Sequence, residues 1–306
     1  MPNTYVSSTK FASALDQKFV RESKSAFLID NSMVADFRGN GKITLTDEVT
    51  DGLGNFSEAS GYPVGSVTLR QTDYTLSMNR ATKFNLDDTL VRHTGIKEYA
   101  SGVCGRFIRE HVVPEVDAYT FSKGFSIAKE EGNVVTGANS AALANKSLSI
   151  LQDLISACKN KVGTGVELIA FCNNTFNTDL SKTIEFNRKV NIGNFKKGEI
   201  NTEVTKLNNT GIIEVEDDLM KTAYNFHSGA VDFGYSAMEE AKNIGCLVLP
   251  KKGALMLIKE LQKPKYFSPD TDDNGDNHRI LYHIIYDALC KKSKRNTIFG
   301  YEYGNE

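Results

Sequence analysis

The segment from about residue 36 to residue 86 places the strongest constraint on how this chain can fold. Six glycines divide it into short pieces: Gly39, Gly41, Gly52, Gly54, Gly61 and Gly65. Apolar residues alternate with polar ones, first at Val67 and Leu69 and then at Tyr74, Leu76 and Met78. Alternation with a period of two, bounded by glycine, is typical of half-buried strands joined as hairpins.

These hairpins have too few apolar residues to bury a core of their own, because about fifty residues of hairpin are marginal without further packing. A long segment of this kind is either mobile or held by something outside its own chain. We therefore predict an extended hairpin loop over 36–86.

A long amphipathic helix with one internal proline follows the hairpin segment. Four apolar residues before the proline recur at helical spacing: Ile96, Tyr99, Val103 and Phe107. This spacing predicts a helix with one buried face. Pro114 removes a backbone donor and collides with the preceding turn, so the helix is expected to kink or to restart there. Glu115 and Asp117 fall in the first turn of the restarted helix, where the positive end of the helix dipole favours a carboxylate.

The rest of the chain predicts a mixed α/β region flanked by two less independent segments. Between 138 and 268, helical patterns alternate with apolar runs such as 166–172 and 244–250, which are typical of fully buried strands. An Asn or Thr side chain is expected to cap a short helix after residue 172. Residues 1–35 contain one weak helix and need a surface to lie on. The tail after residue 277 predicts two more strands that pack against the proline-containing helix.

Composition excludes several classes of protein. A chain of 306 residues fills two domains more naturally than one. The net charge of −2 does not indicate a dedicated nucleic-acid or membrane surface. No apolar run is long enough to span a membrane, and the N-terminus lacks an apolar signal core, so synthesis and retention in a cytoplasm are expected. The five cysteines are far apart in sequence without a CxxC pair, which predicts small buried hydrophobic residues rather than disulfides or zinc ligands.

Sequence motifs for catalysis or ligand binding are incomplete. GNGKIT at 39–44 lacks the first glycine and the Ser or Thr of a phosphate-binding loop, which favours a hairpin turn. DTDDNG at 270–275 begins like a calcium loop, but Leu281 stands where the bidentate Glu is needed. The five histidines form no HExxH motif, no GxSxG elbow is present, and the basic cluster at 291–295 is typical of a solvated turn. We therefore predict no catalytic residue, no cofactor and no metal site.

The order of these parts resembles that of tailed-bacteriophage major capsid proteins. The resemblance covers nearly the whole chain, and its most specific pieces are PEVDAY at 114–119, the run SVTLRQTDYTLSMNRATKFNLDD at 66–88, and the closing YDAL and IFG strand pair. It implies the Hong Kong-type capsid fold, of class α+β. The implied parts are an N-terminal arm (1–35), an extended β-hairpin loop (36–86), a peripheral domain with a long spine helix (87–137 and 269–306) and an α/β axial domain (138–268).

The resemblance also implies a function and a set of contact residues. The chain would self-assemble through pentamers and hexamers into an icosahedral shell that encloses viral double-stranded DNA without specific recognition, in virions assembled in the host cytoplasm. Portal, scaffolding or decoration proteins are further candidate partners, and no membrane is involved. Pro114, Glu115 and Asp117 would shape the spine helix. Gly61, Gly65 and Arg70 would place the extended loop against a neighbouring subunit.

Two alternatives remain open at this point. An encapsulin-like bacterial compartment protein would have the same fold with a different content. A cytoplasmic α/β enzyme with an unrecognised site in 138–268 would instead be compact, with a folded 36–86 segment. Particle formation discriminates between shell assembly and the enzyme, and gene neighbourhood discriminates between the two kinds of shell.

Overall fold

A computed structural model describes residues 23–29, 42–58, 61–88, 104–137, 146–183, 191–197, 200–207, 209–262, 264–268 and 277–304. Among these residues no helix has the length and apolar character needed to cross a membrane. The calcium-like run at 270–275 and the apolar spacing at 96–103 lie outside the described residues. The phosphate-loop-like run at 39–44 is described only from Lys42, where a strand begins.

The described chain contains three α-helices and fifteen strands. The helices are α1 (Val113–Glu130), α2 (Ser147–Val162) and α3 (Asn174–Lys182). The strands are β1 (Lys42–Thr50), β2 (Val67–Thr75), β3 (Met78–Asp87), β4 (Val134–Gly137), β5 (Leu168–Asn173), β6 (Asn191–Lys197), β7 (Ile200–Leu207), β8 (Thr210–Val215), β9 (Tyr224–Phe226), β10 (Tyr235–Ala237), β11 (Ile244–Pro250), β12 (Leu255–Gln262), β13 (Lys265–Phe267), β14 (Asn277–Cys290) and β15 (Phe299–Tyr303). Short 3₁₀ helices are formed by Lys24–Leu28, Asp217–Leu219 and Lys292–Thr297.

The helix continues through Pro114 without a break. A π-helical turn, Ile108–Val112, leads directly into α1, and Pro114 lies at the start of α1. The N–H of Val113 bonds to the carbonyl of Ile108, five residues back, which is the spacing of a π turn. The wider turn changes the hydrogen-bond register just before the residue that has no N–H to donate, so the proline is accommodated.

A seven-stranded mixed sheet has the order β4-β15-β11-β5-β8-β7-β6. Its central strand β5 is buried on both faces, as its continuous apolar sequence predicts. Ile169 and Phe171 point toward α1, where the Phe121 and Phe171 rings lie 4.9 Å apart. Leu168 and Ala170 point to the opposite face and pack with α2 and α3. α3 begins with a cap in which the Asn173 side chain accepts a hydrogen bond from the N–H of Phe176 at 2.8 Å, as predicted.

A second sheet of four strands is built on β14, which pairs with β12 and β13 along one side and with β3 along the other. Alternate residues of β14 are buried against α1, and the rings of Tyr119 and Tyr286 lie 5.6 Å apart. α1 therefore packs between the two sheets. It approaches them closely at Gly124, where a Cβ atom would lie 2.8 Å from Leu255 and 3.3 Å from Leu247.

Sheet membership does not follow the predicted limits at 138 and 268. β4 and β15 lie outside this range, yet both belong to the seven-stranded sheet. β12 and β13 lie inside it and pair with β14 of the other sheet. Both tail strands pack against the helix as predicted: alternate residues of β14 are buried against it, and a Cβ atom at Gly300 of β15 would lie 2.7 Å from the Phe125 ring. β15 also joins β11 and β4 in the seven-stranded sheet. The division of the chain into domains stays a prediction.

Candidate assembly surfaces

The long hairpin is formed by β1, β2 and the connecting residues 51–66, and among the residues that the structure describes only its base is anchored to the rest of the protein. Its strands pair in continuous antiparallel register from Lys42–Thr75 to Thr50–Val67. Ile43 and Leu45 are buried in a small cluster with residues of β12 and β14. The anchor also has polar contacts, because Ser293 donates to Asp47 at 3.0 Å and Lys291 donates to the carbonyl of Thr46 at 3.3 Å.

Beyond this anchor the long hairpin exposes apolar side chains. Its exposed large hydrophobic residues are Val49, Leu53, Phe56, Tyr62, Val64, Val67 and Leu69. Phe56 is 60% exposed and Tyr62 is 87% exposed, although their rings contact each other edge to face at 5.2 Å. Exposed apolar side chains concentrated on one projection are typical of a surface that binds another protein.

The tip of the long hairpin has a defined backbone. Ser66 donates from its N–H and its hydroxyl to the Asp51 carboxylate, at 2.8 and 2.6 Å, and these bonds hold the pKa of Asp51 below its usual value. Gly61 has a φ of +76° and exchanges two backbone hydrogen bonds with Ser57. A side chain would be strained at that φ, so Gly61 gives the tip its turn.

The other two loop residues selected from the sequence also lie on the exposed part of the hairpin. Gly65 precedes β2, and Arg70 lies on β2 opposite Asp47. Both are exposed. Their contact with a neighbouring subunit stays a prediction.

Asp117 anchors the N-terminal segment 23–29 to α1. Its carboxylate accepts hydrogen bonds from the hydroxyl of Ser23 at 2.6 Å, from the N–H of Lys24 at 2.7 Å, and from both the N–H and the hydroxyl of Ser25. Burial raises the pKa of Asp117 above its ordinary value, and the hydrogen bonds act in the opposite direction. Asp117 lies past the first turn of α1, where only Glu115 is acidic, so the prediction that it stabilises the helix end was wrong. It binds the arm instead.

Glu115 connects α1 to β3 and β14 of the four-stranded sheet. Arg80 of β3 donates from Nε to Glu115 Oε1 at 2.7 Å and from Nη2 to Oε2 at 3.2 Å. The hydroxyl of Tyr286 on β14 donates to the same carboxylate at 3.3 Å. Glu115 does lie in the first turn of α1, as predicted, but its charge is neutralised by Arg80, and Tyr286 donates a further hydrogen bond to it.

Arg80 also holds a second exposed structure, the short hairpin, which consists of β9, β10 and residues 227–234 between them. Its guanidinium donates to the carbonyl of His227 at 2.6 Å and to that of Gly234 at 2.9 Å, the two ends of the connection. Val231 and Phe233 at the tip are 88% and 75% exposed. One side chain therefore fixes β3, α1 and the short hairpin relative to one another.

The corner between β2 and β3 is fixed by Asp287 of β14. Its carboxylate accepts hydrogen bonds from the N–H and the hydroxyl of Ser77, at 3.1 and 3.0 Å, and from the hydroxyl of Tyr119 at 2.7 Å. Asp287 is almost fully buried. This bonding gives the long hairpin a defined point of departure from the body of the protein.

Sequence reasoning missed Arg80, Asp287 and the short hairpin. A signal for Arg80 was present, because it shares a strand face with Met78, Phe84 and Leu86, which pack against the core. A basic residue in a row that packs against the core indicates a buried acidic partner. No comparable pattern pointed to Asp287, whose partners are distant in sequence.

Other polar groups have structural roles. All five cysteines are buried as free thiols, as predicted, although Cys172 and Cys246 are direct neighbours on β5 and β11 with their Sγ atoms 3.5 Å apart. In the basic cluster, Arg295 pairs with Glu130 and Glu131. Within the described ranges no three His, Cys, Asp or Glu side chains come together as a metal site would require.

The fold is similar to that of solved phage capsid proteins. The mature capsid of bacteriophage PhiM1 matches with a TM-score of 0.59 and 13% identity, covering 89% of this chain and 84% of the other. The capsid of cyanophage P-SCSP1u matches with a TM-score of 0.56 and 11% identity, covering 88% and 85%. A virus-like particle from Pyrococcus furiosus matches with a TM-score of 0.55 and 12% identity, covering 97% and 100%.

Sequence comparison alone finds no relative, because no protein-family model and no curated protein matches this chain. The structural matches extend over most of the chain, whose elements form a mixed α+β arrangement. The chain therefore has the fold of phage capsid proteins, and this confirms the α+β class and the capsid-type architecture predicted from the sequence.

Proposed function

We propose that this chain is the major capsid protein of a tailed bacteriophage, a structural subunit whose copies assemble through pentamers and hexamers into an icosahedral shell. The observation that carries the proposal is the long hairpin. Its base is anchored by Ile43, Leu45 and Asp47, yet its distal part exposes side chains such as Phe56 and Tyr62. Within the described chain no element covers these residues, so another molecule is needed to bury them.

A second copy of the chain is the natural partner for this surface. The exposed apolar residues lie on a projection and not in a self-complementary flat patch, so the expected contact is heterologous, between unlike surfaces of two copies. Heterologous contacts generate closed rings, and then shells, when the angle between successive copies is right. The Arg80 and Asp287 networks supply a fixed angle at the base of the projection.

The shell would enclose double-stranded DNA in a virion assembled in the host cytoplasm. Binding to DNA is dominated by contacts of lysine and arginine with phosphates. A chain with a net charge of −2 suits a container that holds DNA without binding it tightly. Portal, scaffolding or decoration proteins would be its other partners, and its role would be structural and not enzymatic.

A second candidate is an encapsulin-like bacterial compartment protein. The observation that favours it is the match to the Pyrococcus furiosus virus-like particle, which covers this chain and the other almost completely. The two candidates share a shell and differ in its content. Nucleic acid protected from nuclease inside particles supports the capsid, and a co-purifying protein cargo supports the compartment.

The test is the assembly state of the purified full-length protein. Negative-stain electron microscopy and analytical ultracentrifugation over a range of protein and salt concentrations should show rings or closed shells. Compact particles of one or two copies under every condition would contradict the proposal and would favour the α/β enzyme considered from the sequence.

A further inference from the structure

Two of the five cysteines face each other inside the seven-stranded sheet. Cys172 on β5 and Cys246 on β11 are directly opposite in an antiparallel ladder, and their Sγ atoms are 3.5 Å apart. Both residues are fully buried. Residues directly opposite in such a ladder project from the same face, so the two thiols lie on one side of the sheet.

The backbone hydrogen bonds show which kind of pair the two cysteines form. The N–H of Lys251 donates to the carbonyl of Glu167 at 3.0 Å, which marks these opposite residues as a hydrogen-bonded pair. The register continues without a shift from there to Cys172 and Cys246, five positions along, and the two kinds of pair alternate. The cysteines are therefore a non-hydrogen-bonded pair. Pro250 fits the same alternation, because it stands at a position where no N–H is needed.

A non-hydrogen-bonded pair is well placed for a bond between its side chains. The Cα atoms of such a pair are about 4.5 Å apart, and its side chains are closer than those of a hydrogen-bonded pair. A disulfide bridges Cα atoms that are about 4.4–6.8 Å apart. The two thiols can therefore reach bonding distance by side-chain rotation, and the strands need not move.

The surroundings of the pair keep it out of contact with water. Its neighbours in the cluster between the sheet, α2 and α3 are apolar residues such as Leu168, Ala170 and Val248. Burial raises the pKa of Cys246 well above its ordinary value, and the contact with Cys172 acts in the same direction. Reaction of either thiol thus requires local opening of the sheet, and a bond once formed is shielded from reductants.

We propose that Cys172 and Cys246 are a latent disulfide pair, which stays reduced in a cytoplasm and joins covalently when the folded protein meets a two-electron oxidant. This inference goes beyond the proposed function and concerns a single chain, whether or not its copies assemble. Cytoplasm keeps thiols reduced and the extracellular medium does not. Under the proposed function, the bond would therefore form after the virion leaves its host.

The reaction is a two-electron oxidation. Two S–H bonds break, one Sγ–Sγ bond forms, and two protons and two electrons pass to the oxidant. With the diazene diamide, one thiolate adds to the N=N bond, and the other thiolate attacks the sulfur of this adduct. The nitrogen leaves with the electron pair, so the diazene becomes a hydrazine.

The bond would stabilise the seven-stranded sheet. The two cysteines are 74 positions apart, and the segment between them contains α3 and the strands β6 to β10. Closing a loop of this length restricts the unfolded chain more than the folded one. We expect the oxidised protein to melt about 5 °C or more above the reduced protein.

The test is oxidation of the purified full-length protein by diamide. It is done in buffer and again in urea just below the unfolding transition, where local opening is more frequent. The intact mass should fall by two hydrogens. Trypsin should then release peptide 162–182 joined to peptide 243–251, each of which contains one of the two cysteines. Complete unfolding should expose three thiols, in place of the five of the reduced protein.

The controls remove one sulfur at a time. Cys172→Ala and Cys246→Ala should neither lose two hydrogens nor gain melting temperature on oxidation. Cys158→Ala is the matched control, because Cys158 is equally buried but its Sγ donates to the carbonyl of Thr297 at 3.3 Å. This variant should oxidise like the parent. Circular dichroism shows whether each variant is folded, and the linked peptides of the parent decide the question without any variant.

Three results would overturn the inference. The first is the absence of the linked peptides under both oxidation conditions. The second is linkage of Cys172 or Cys246 to the other cysteines in equal yield, which would show that the bond forms in unfolded chains. The third is a melting temperature of the oxidised parent no higher than that of the reduced parent. None of these results bears on assembly, so each leaves the proposed function intact.

Discussion

Arg80 on β3 and Glu115 in the first turn of α1 form a two-pronged ion pair, with Nε–Oε1 and Nη2–Oε2 distances of 2.7 and 3.2 Å. Both side chains are mostly buried. The same guanidinium donates to two carbonyls of the short hairpin, so its donors are shared between three elements. Such a planar fork cannot be replaced by a lysine, which offers a single compact charge.

Arg80→Leu should destabilise the protein by about 3 kcal/mol, because it leaves the Glu115 carboxylate buried without its cation and removes the Arg80 hydrogen bonds to the carbonyls of His227 and Gly234. Urea unfolding followed by circular dichroism measures this loss. Hydrogen exchange of the amides in 227–234 should become faster in the variant. Arg70→Leu is the matched control, since Arg70 is exposed on β2, and its effect should stay within about 0.5 kcal/mol. Equal effects of the two substitutions would contradict the role assigned to Arg80.

The arm contact at Asp117 predicts a pH dependence. Burial raises the pKa of this carboxyl in the folded protein, so the folded state binds a proton more readily than the unfolded state. The free energy of unfolding of the parent, minus that of Asp117→Asn, should therefore increase as the pH falls from neutrality. This quantity should level off below the unfolded pKa of about 4, where the carboxyl is protonated in both states. Other charged or titratable groups line the adjacent groove and are unchanged in the variant: Lys24, Arg109, Glu216, Asp218 and Tyr235.

Urea unfolding at a series of pH values measures this difference. If the free energy of unfolding of the parent minus that of the variant decreases as the pH falls, the hydrogen bonds from Ser23, Lys24 and Ser25 lower the pKa of Asp117 by more than burial raises it. Ser149→Ala is a suitable control, because the Ser149 hydroxyl bonds only locally, to the carbonyl of Lys146, on an exposed helix end.

The buried cysteines should be unreactive in the folded protein. Burial raises the pKa of Cys104 to about 11 and the pKa of both Cys158 and Cys290 to about 12, and it raises the pKa of Cys246 as well. The thiolate is the reactive form, so a thiol reagent at pH 8 should label Cys104, Cys158 and Cys290 of the folded chain at least a hundredfold more slowly than a small free thiol, by about tenfold for each pKa unit. Unfolding in urea should release all five thiols. Rapid labelling of Cys172 or Cys246 before unfolding would show that the seven-stranded sheet opens locally.

Local patterns in the sequence were sufficient to predict strands and a helix cap, but they were insufficient to predict which strands pair. The alternation at Val67 and Leu69 and the continuous apolar run of β5 predicted strands correctly, because the period of a strand is set by its own residues. The half-burial expected of Val67 and Leu69 was wrong, since both side chains are exposed. The cap at Asn173 was also predicted, because helix capping depends on the residues next to the helix start. The placement of β15 beside β11 was not, since pairing between distant strands depends on packing that periodicity does not encode.

The assembly surfaces were predicted in part. The low apolar content of 36–86 indicated a segment that needs an external partner, and the exposed tip of the long hairpin agrees with this. The anchors were missed, because Ser77 and Asp287 are separated by 210 positions and meet only in the folded chain. Asp117 was selected for its place near the helix start and proved to bind Ser23 and Ser25.

Truncation of the long hairpin separates folding from assembly. Thr50 and Val67 are directly opposite each other in the ladder, so residues 51–66 can be replaced by the two residues Asn-Gly, which favour a tight hairpin turn. The base residues Ile43, Leu45 and Asp47 remain, together with Arg80, so the truncated protein should stay folded and soluble. It should no longer form closed shells, because the exposed side chains of the tip are gone. Thermal melting within a few degrees of the parent, combined with the absence of particles in electron micrographs, is the expected result. Normal particles from the truncated chain would mean that the tip does not bind a neighbouring copy.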